Sequence, residues 1–157
     1  MKDKDFFKNI KLFGELKSYE WEEIRKIAEE KEFKEGDIIF PQGDRSTELY
    51  FAVKGEVEIQ ITIAPQLADI TVYIVRLNDV FGEFAFVDPK PRSATARCKT
   101  DVTLAMIKKE DFDELIKKFP NIGVNFYKSL ARILCGRLRR MNKYLREIFL
   151  RSLGLEI

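Results

Sequence analysis

The hydrophobic period of this chain changes twice, and the two changes limit what it can fold into. From Leu12 to Lys31 the spacing is helical: Trp21, Ile24, Ile27 and Ala28 fall on one face, and Ser18 is placed to act as N-cap. At Phe33 the pattern breaks into short β-rich runs. These are Asp37–Phe40, Leu49–Val53, the alternating stretch Val57, Ile59, Ile61 and Ile63, then Thr71–Leu77, Ser93–Cys98 and Val102–Ile107. Turn residues such as Pro41-Gln42-Gly43-Asp44, Lys54-Gly55 and Asn78-Asp79 separate them. From Lys109 the helical period returns, with a short helix over Asp111–Lys118, a break at Pro120 and a long helix from Asn121 to about Ser152. The expected fold is α+β, mainly β: an antiparallel, jelly-roll-like β-roll of about eight strands, flanked by N-terminal helices and a C-terminal helix pair. One domain is expected over residues 1–157, with N-terminal helices in 1–32, the β-roll in 33–108 and helices in 109–152. Residues 1–11 read as a short lead-in helix or a frayed end.

Composition removes several kinds of chemistry. The chain has no histidine, which excludes His-based triads, most transition-metal sites and proximal-His haem. It has two cysteines, Cys98 and Cys135, too few for a four-cysteine cluster, and both read as buried thiols. A net charge of +2 on 157 residues gives no global field for nucleic acid. No apolar run is long enough for a membrane span or signal peptide, so a cytoplasmic location is expected. No metal and no cofactor are expected, and no enzymatic activity.

One segment interrupts the β pattern: Phe81-Gly82-Glu83-Phe84-Ala85-Phe86-Val87-Asp88-Pro89-Lys90-Pro91-Arg92-Ser93-Ala94-Thr95-Ala96-Arg97-Cys98. Gly82 lets backbone approach a ligand closely. Glu83 opens a short helical turn whose N–H groups can face an anion. Arg92, nine residues on, follows a Pro-bounded loop that can fold it back over that turn, where a guanidinium grips phosphate bidentately. Glu83 would repel a phosphate, but it makes sense as the acceptor of a sugar hydroxyl. Together these describe a nucleotide with a compact phosphate. Neither a P-loop nor G-x-G-x-x-G is present.

The segment resembles the phosphate-binding cassette of the cyclic-nucleotide-binding domains found in the catabolite activator protein, cyclic-nucleotide-dependent kinases and gated channels. Lys34–Phe40, Gly43-Asp44, Leu49–Val53 with Lys54-Gly55, Phe112 and Pro120 also fit. The resemblance covers roughly residues 12–145, with the cassette at 81–97. It implies that Glu83 accepts the ribose 2′-OH and that Arg92 pairs with the cyclic phosphate. Backbone N–H groups near Gly82, Glu83, Phe84 and Ala85, and at Ser93 and Ala94, would complete the cradle. Where the catabolite activator places a hydroxyl-bearing pair against adenine, an ungapped alignment puts Arg137 and Leu138, so an arginine stacked on the purine is expected instead. The catabolite activator family continues past its long helix into a helix-turn-helix; this sequence ends at Ile157, and a DNA-binding regulator is not the expected reading.

The expected function is a sensor of cAMP or cGMP that transmits occupancy through its C-terminal helix to an unidentified downstream protein. The alternative is a ligand-free domain of the same fold that acts as a dimerisation scaffold, with Glu83 and Arg92 as a structural ion pair. On the long helix, Tyr127, Leu130, Leu134, Leu138, Met141, Leu145 and Ile148 recur at spacings of three and four. That stripe is either the seam of a homodimer or a face docked on the chain's own β-roll. Arg132, Arg137, Arg139, Arg140, Lys143, Arg146 and Arg151 lie mostly off the stripe and read as a solvated face, and nucleic acid is not expected as a partner.

Overall fold

The computed structural model describes residues 10–155. A 3-10 turn, Lys11–Phe13, leads into α1 (Ser18–Ile27). The strands are β1 (Ala28–Phe33), β2 (Ile38–Phe40), β3 (Leu49–Lys54), β4 (Val57–Ile61), β5 (Ile70–Val75), β6 (Val80–Phe81), β7 (Thr95–Cys98) and β8 (Val102–Ile107). The single-turn α2 (Glu83–Val87) sits between β6 and β7, and α3 (Lys109–Lys118) and α4 (Pro120–Ser152) close the chain. The strands form two antiparallel four-stranded sheets, ordered β1-β8-β3-β6 and β2-β7-β4-β5. This is the expected β-roll between helices, although helix (about 41%) exceeds strand (about 26%) because α4 alone takes 33 residues.

The first sheet is buried on both faces, which explains why β3 reads Leu-Tyr-Phe-Ala-Val without polar alternation. Leu49 and Phe51 of β3, with Ala105 and Ile107 of β8, meet the helices through Phe13, Ile24, Phe86, Phe112, Ile122, Phe126 and Leu130. The intervening residues Tyr50, Ala52, Leu104 and Met106 turn into the roll and pack with Phe40, Val57, Val75, Phe81 and Ala96. The period of two thus divides one apolar sequence between two cores. Aromatic rings carry much of the helical core: Phe126 lies 4.5 Å from Phe112, 5.7 Å from Phe86 and 6.1 Å from Phe13 between ring centroids.

Several expectations are corrected. The first helix ends at Ile27, not Lys31, and the roll begins at Ala28. Ala-Glu-Glu-Lys-Glu-Phe has helix-forming composition, but it pairs with β8 over six residues, and this edge pairing overrides local propensity. Salt bridges Lys31–Glu29 and Lys108–Glu29 lie along that edge. The N-cap is Lys17, one residue before Ser18, and its N–H donates to Glu20 Oε2 (2.8 Å). β4 stops at Ile61, and Ile63 is 62% exposed because the β4–β5 hairpin extends past the core. Cys98 is buried and its thiol is pushed up to about 11 by desolvation, but Cys135 is exposed on α4. The expected lead-in helix falls largely on residues 1–9, outside the described residues.

Replacing Phe126 with Ala removes the ring that joins α4 to Phe13, Phe86 and Phe112. Urea denaturation is expected to show a loss of about 3–5 kcal/mol, with no change in the m-value.

Candidate ligand-binding site

The cassette is built where β6 leaves the first sheet. Gly82 adopts φ 76°, in the left-handed region, and turns the chain from β6 into α2. A Cβ there would sit 2.8 Å from Arg92 Nη1, 3.0 Å from the Glu48 carbonyl oxygen and 3.3 Å from the Tyr50 ring. Glycine is therefore required by conformation and by the close approach of Arg92. Glu83, Phe84 and Ala85 form the first turn of α2, where N–H groups have no partner within the helix. Glu83 and Ala85 are buried, while Phe84 is 56% exposed.

Arg92 is only 4% exposed. Its Nε donates to Ser46 Oγ (3.2 Å), Nη1 to the Gly82 carbonyl (2.9 Å), and Nη2 to the Glu48 carbonyl (2.9 Å) and carboxylate (3.4 Å). The guanidinium carbon lies 4.1 Å from the centre of the Phe40 ring and 5.9 Å from that of Tyr50. Main-chain bonds Arg92 N–H to Asp44 O (2.7 Å) and Gly43 N–H to Arg92 O (2.8 Å) tie this segment to the β2–β3 loop. Burial pushes the guanidinium down from its ordinary value, opposed by Tyr50, Glu48, Asp44 and Glu83. An arginine so surrounded stays protonated. Ser93 is exposed and Ala94 buried as the chain enters β7, and Thr95 Oγ1 accepts the N–H of Gln42 (2.9 Å).

Glu83 and Arg92 share the cassette but are not each other's partner. Glu83 accepts a hydrogen bond from Arg137 of α4, whose guanidinium also donates to the Val80 carbonyl. Arg137 lies 5.0 Å from the centre of the Tyr73 ring, with Arg140 at 5.9 Å. Tyr73 in turn donates its hydroxyl to Asp79 (3.1 Å). Leu138, its neighbour, points away and is 62% exposed. Beside Arg137 a groove of about 370 Å³ runs between α4 and the β5–β6 turn, lined by Tyr73, Val80, Ser129, Ile133, Gly136 and Arg140 among others.

The structure thus brings Gly82, Glu83, Ala85, Arg92 and Arg137 to one place. Sequence reading missed the rest of the setting: Ser46 and Glu48 on the β2–β3 loop, Phe40 and Tyr50 under the guanidinium, and Tyr73 beside Arg137. A weak signal for Glu48 existed, since it is a carboxylate set directly before a wholly apolar strand. Asp44 is held below its usual value first by the Ser46 hydroxyl, in keeping with its reading as a turn residue. Among the described residues no cluster of His, Cys, Asp and Glu could hold a metal ion.

Gly82 and Gly36 both have positive φ, but nothing lies within 4 Å of a Cβ at Gly36. Gly36→Ala is therefore expected to show the conformational cost alone, about 1–2 kcal/mol. Gly82→Ala should exceed it in urea denaturation because Arg92 must also move.

Residues 30–119 match the profile of the cyclic nucleotide-binding domain family. The cAMP-dependent protein kinase regulatory subunit of Emericella nidulans is 31% identical over 117 residues, covering 74% of this chain and 27% of that protein. The CRP-like cAMP-activated global transcriptional regulator of Mycobacterium tuberculosis is 29% identical over 125 residues, covering 80% of this chain and 54% of that protein. The chain thus spans about a quarter and about half of the length of these two relatives. Among solved structures, the catabolite activator protein of Thermus thermophilus superposes with TM-score 0.74 at 28% identity, over 89% of this chain and 63% of the other. A cyclic nucleotide-binding domain from Methylobacillus flagellatus reaches TM-score 0.80 at 22% identity, over 91% and 80% respectively, a likeness of fold. With the profile spanning more than half of its residues, this chain belongs to the cyclic nucleotide-binding domain family.

Proposed function

We propose that this chain binds a cyclic nucleotide, cAMP or cGMP, and reports occupancy through α4. The observation that carries this reading is the presence of two buried ionic groups, Glu83 (5% exposed) and Arg92 (4% exposed), each with its own partners, on one short cassette around a glycine whose φ and close neighbours disfavour any side chain. Burying charge is costly, and the sequence places both groups at the positions that the resemblance assigns to ribose and phosphate. In this reading Glu83 accepts the ribose 2′-OH. Arg92 and the N–H groups of Glu83, Phe84, Ala85, Ser93 and Ala94 hold the phosphate. The base faces α4 near Arg137 and Tyr73. No catalytic group is assigned, and the domain acts by binding, as a regulatory unit of the cytoplasm.

Arg137 supplies the link to output. It fastens α4 to Glu83 and to Val80. A ribose hydroxyl on Glu83 draws on the same carboxylate, so the ligand and α4 are coupled through one side chain. A ligand that binds the two positions of α4 unequally shifts their populations. The downstream recipient is a further protein.

A second reading, a ligand-free scaffold, is favoured by one observation: both charges already have partners within the chain, Arg92 on Ser46, Gly82 and Glu48, and Glu83 on Arg137. Self-association through α4, for which Leu134, Leu138, Met141, Leu145 and Ile148 have the spacing, is compatible with either reading. Its mark in light scattering would be twice the 18.4 kDa of the chain.

Calorimetric titration with cAMP and with cGMP separates sensor from scaffold. A sensor is expected to bind at micromolar or tighter affinity. Arg92→Lys, which keeps the charge but not the fork of donors, should weaken binding sharply, and Glu83→Gln should weaken it less. Absence of heat from folded, nucleotide-free protein with both ligands would leave the scaffold.

A further inference from the structure

The inner part of α4 is docked: Ile122, Phe126 and Leu130 are buried in the helical core, and Ile133 and Leu134 pack against it. Beyond Arg137 the helix carries its apolar residues into solvent. Leu138 is 62% exposed, Tyr144 58%, Phe149 64% and Leu153 71%, with Met141, Leu145 and Ile148 each above 40%. At about 100° per residue, these seven residues cover one arc of about 180°, within which Asn142 and Ser152 are the polar positions. Arg139, Arg140, Lys143, Arg146 and Arg151 occupy the opposite arc, which only Leu150 interrupts among the apolar residues. The whole of α4 carries eight cations against one carboxylate, Glu147, while the chain as a whole is only +2. The rest of the chain is therefore net negative, and the positive charge is gathered on this helix. Lys128 and Arg132 are paired with Glu15, and Arg137 with Glu83, all at or before the last docked turn. On the outer half the single ion pair is Lys143 with Glu147 at 4.0 Å, among the described residues.

We infer that the outer half of α4 with its C-cap Leu153, residues 138–153, docks on an anionic phospholipid surface, with its apolar arc among the acyl chains and its arginines at the headgroup phosphates. Three observations favour lipid over a second copy of the chain. The free seam runs only from Leu138 to Ile148, short of the roughly three heptads expected of a coiled coil. The apolar arc is wider than a two-stranded seam uses, because Tyr144 and Phe149 extend it on both sides. The flanking positions offer no acidic partners: Arg137, Asn142, Tyr144 and Phe149 would face one another across a parallel pair, whereas cations beside a wide apolar face complement anionic headgroups. The helix lies on such a surface and does not cross it, since no described helix is long and apolar enough to span a membrane. Arginine, planar and weakly hydrated, suits phosphate at the boundary.

The test is cosedimentation of the full chain with phosphatidylcholine vesicles, with and without phosphatidylglycerol, alongside light scattering of the free protein. The chain is expected to pellet with the anionic vesicles, not with the neutral ones, and to be released by high salt. Arg139→Glu with Arg146→Glu, and separately Leu145→Glu, should each weaken partitioning by roughly tenfold or more. These residues lie outside the core, so unchanged urea unfolding certifies that the variants are folded. Failure to pellet with anionic vesicles overturns the inference. So does pelleting that Leu145→Glu leaves unaltered. A dimer that Leu145→Glu dissolves, without vesicle binding, assigns the face to a second copy and equally overturns it. None of these outcomes depends on nucleotide binding.

Discussion

The site hangs on the buried guanidinium of Arg92. It joins segments that sequence separates widely: the β2–β3 loop through Ser46 and Glu48, the β6–α2 turn through the Gly82 carbonyl, and the roll interior through the faces of Phe40 and Tyr50. Each carbonyl it meets flanks a strand, Glu48 just before β3 and Gly82 just after β6, where the ladder ends; the Gly82 oxygen also accepts the Phe86 N–H of α2 (3.4 Å). The arginine thus satisfies the loose ends of β3 and β6 and fixes the cassette relative to them. This accounts for the glycine at position 82, since any side chain would occupy the space that the guanidinium needs.

The second constraint is the double burial of the first sheet. With helices on one face and the roll interior on the other, β3 and β8 cannot shift by one residue without exchanging the two cores. That rigidity holds α4 against the roll through Phe126 and Leu130. Arg137, roughly two turns further on, therefore arrives at Glu83. Beyond that point, Arg140 against Tyr73 apart, the apolar arc of α4 is exposed among the described residues, and the character of the helix changes from core helix to amphipathic arm.

The alternation of β4, the breakers around Glu83–Val87 and the long stripe of α4 were readable in the residues because local periodicity reports which face is buried. The cassette was readable for a different reason: it is one contiguous segment, and its resemblance survives without any knowledge of the fold. β1 was not readable. Its charged, helix-favouring residues become a strand only because the edge of β8 is open to them. The even choice over the stripe was decided differently in its two halves, docked at Leu130 and exposed from Leu138, which no spacing could reveal.

By itself the sequence determined the succession of helix, β-rich region and helices, the absence of histidine chemistry and the pair Glu83 and Arg92, since each depends on residue identity or short spacing. The tertiary structure decided the partners of that pair. Glu83 meets an arginine 54 residues away on α4, and Arg92 meets a loop 44–46 residues earlier. Such contacts are set by how two sheets and a helix close on one another, and charge pairs formed across that distance leave no periodic trace in the chain.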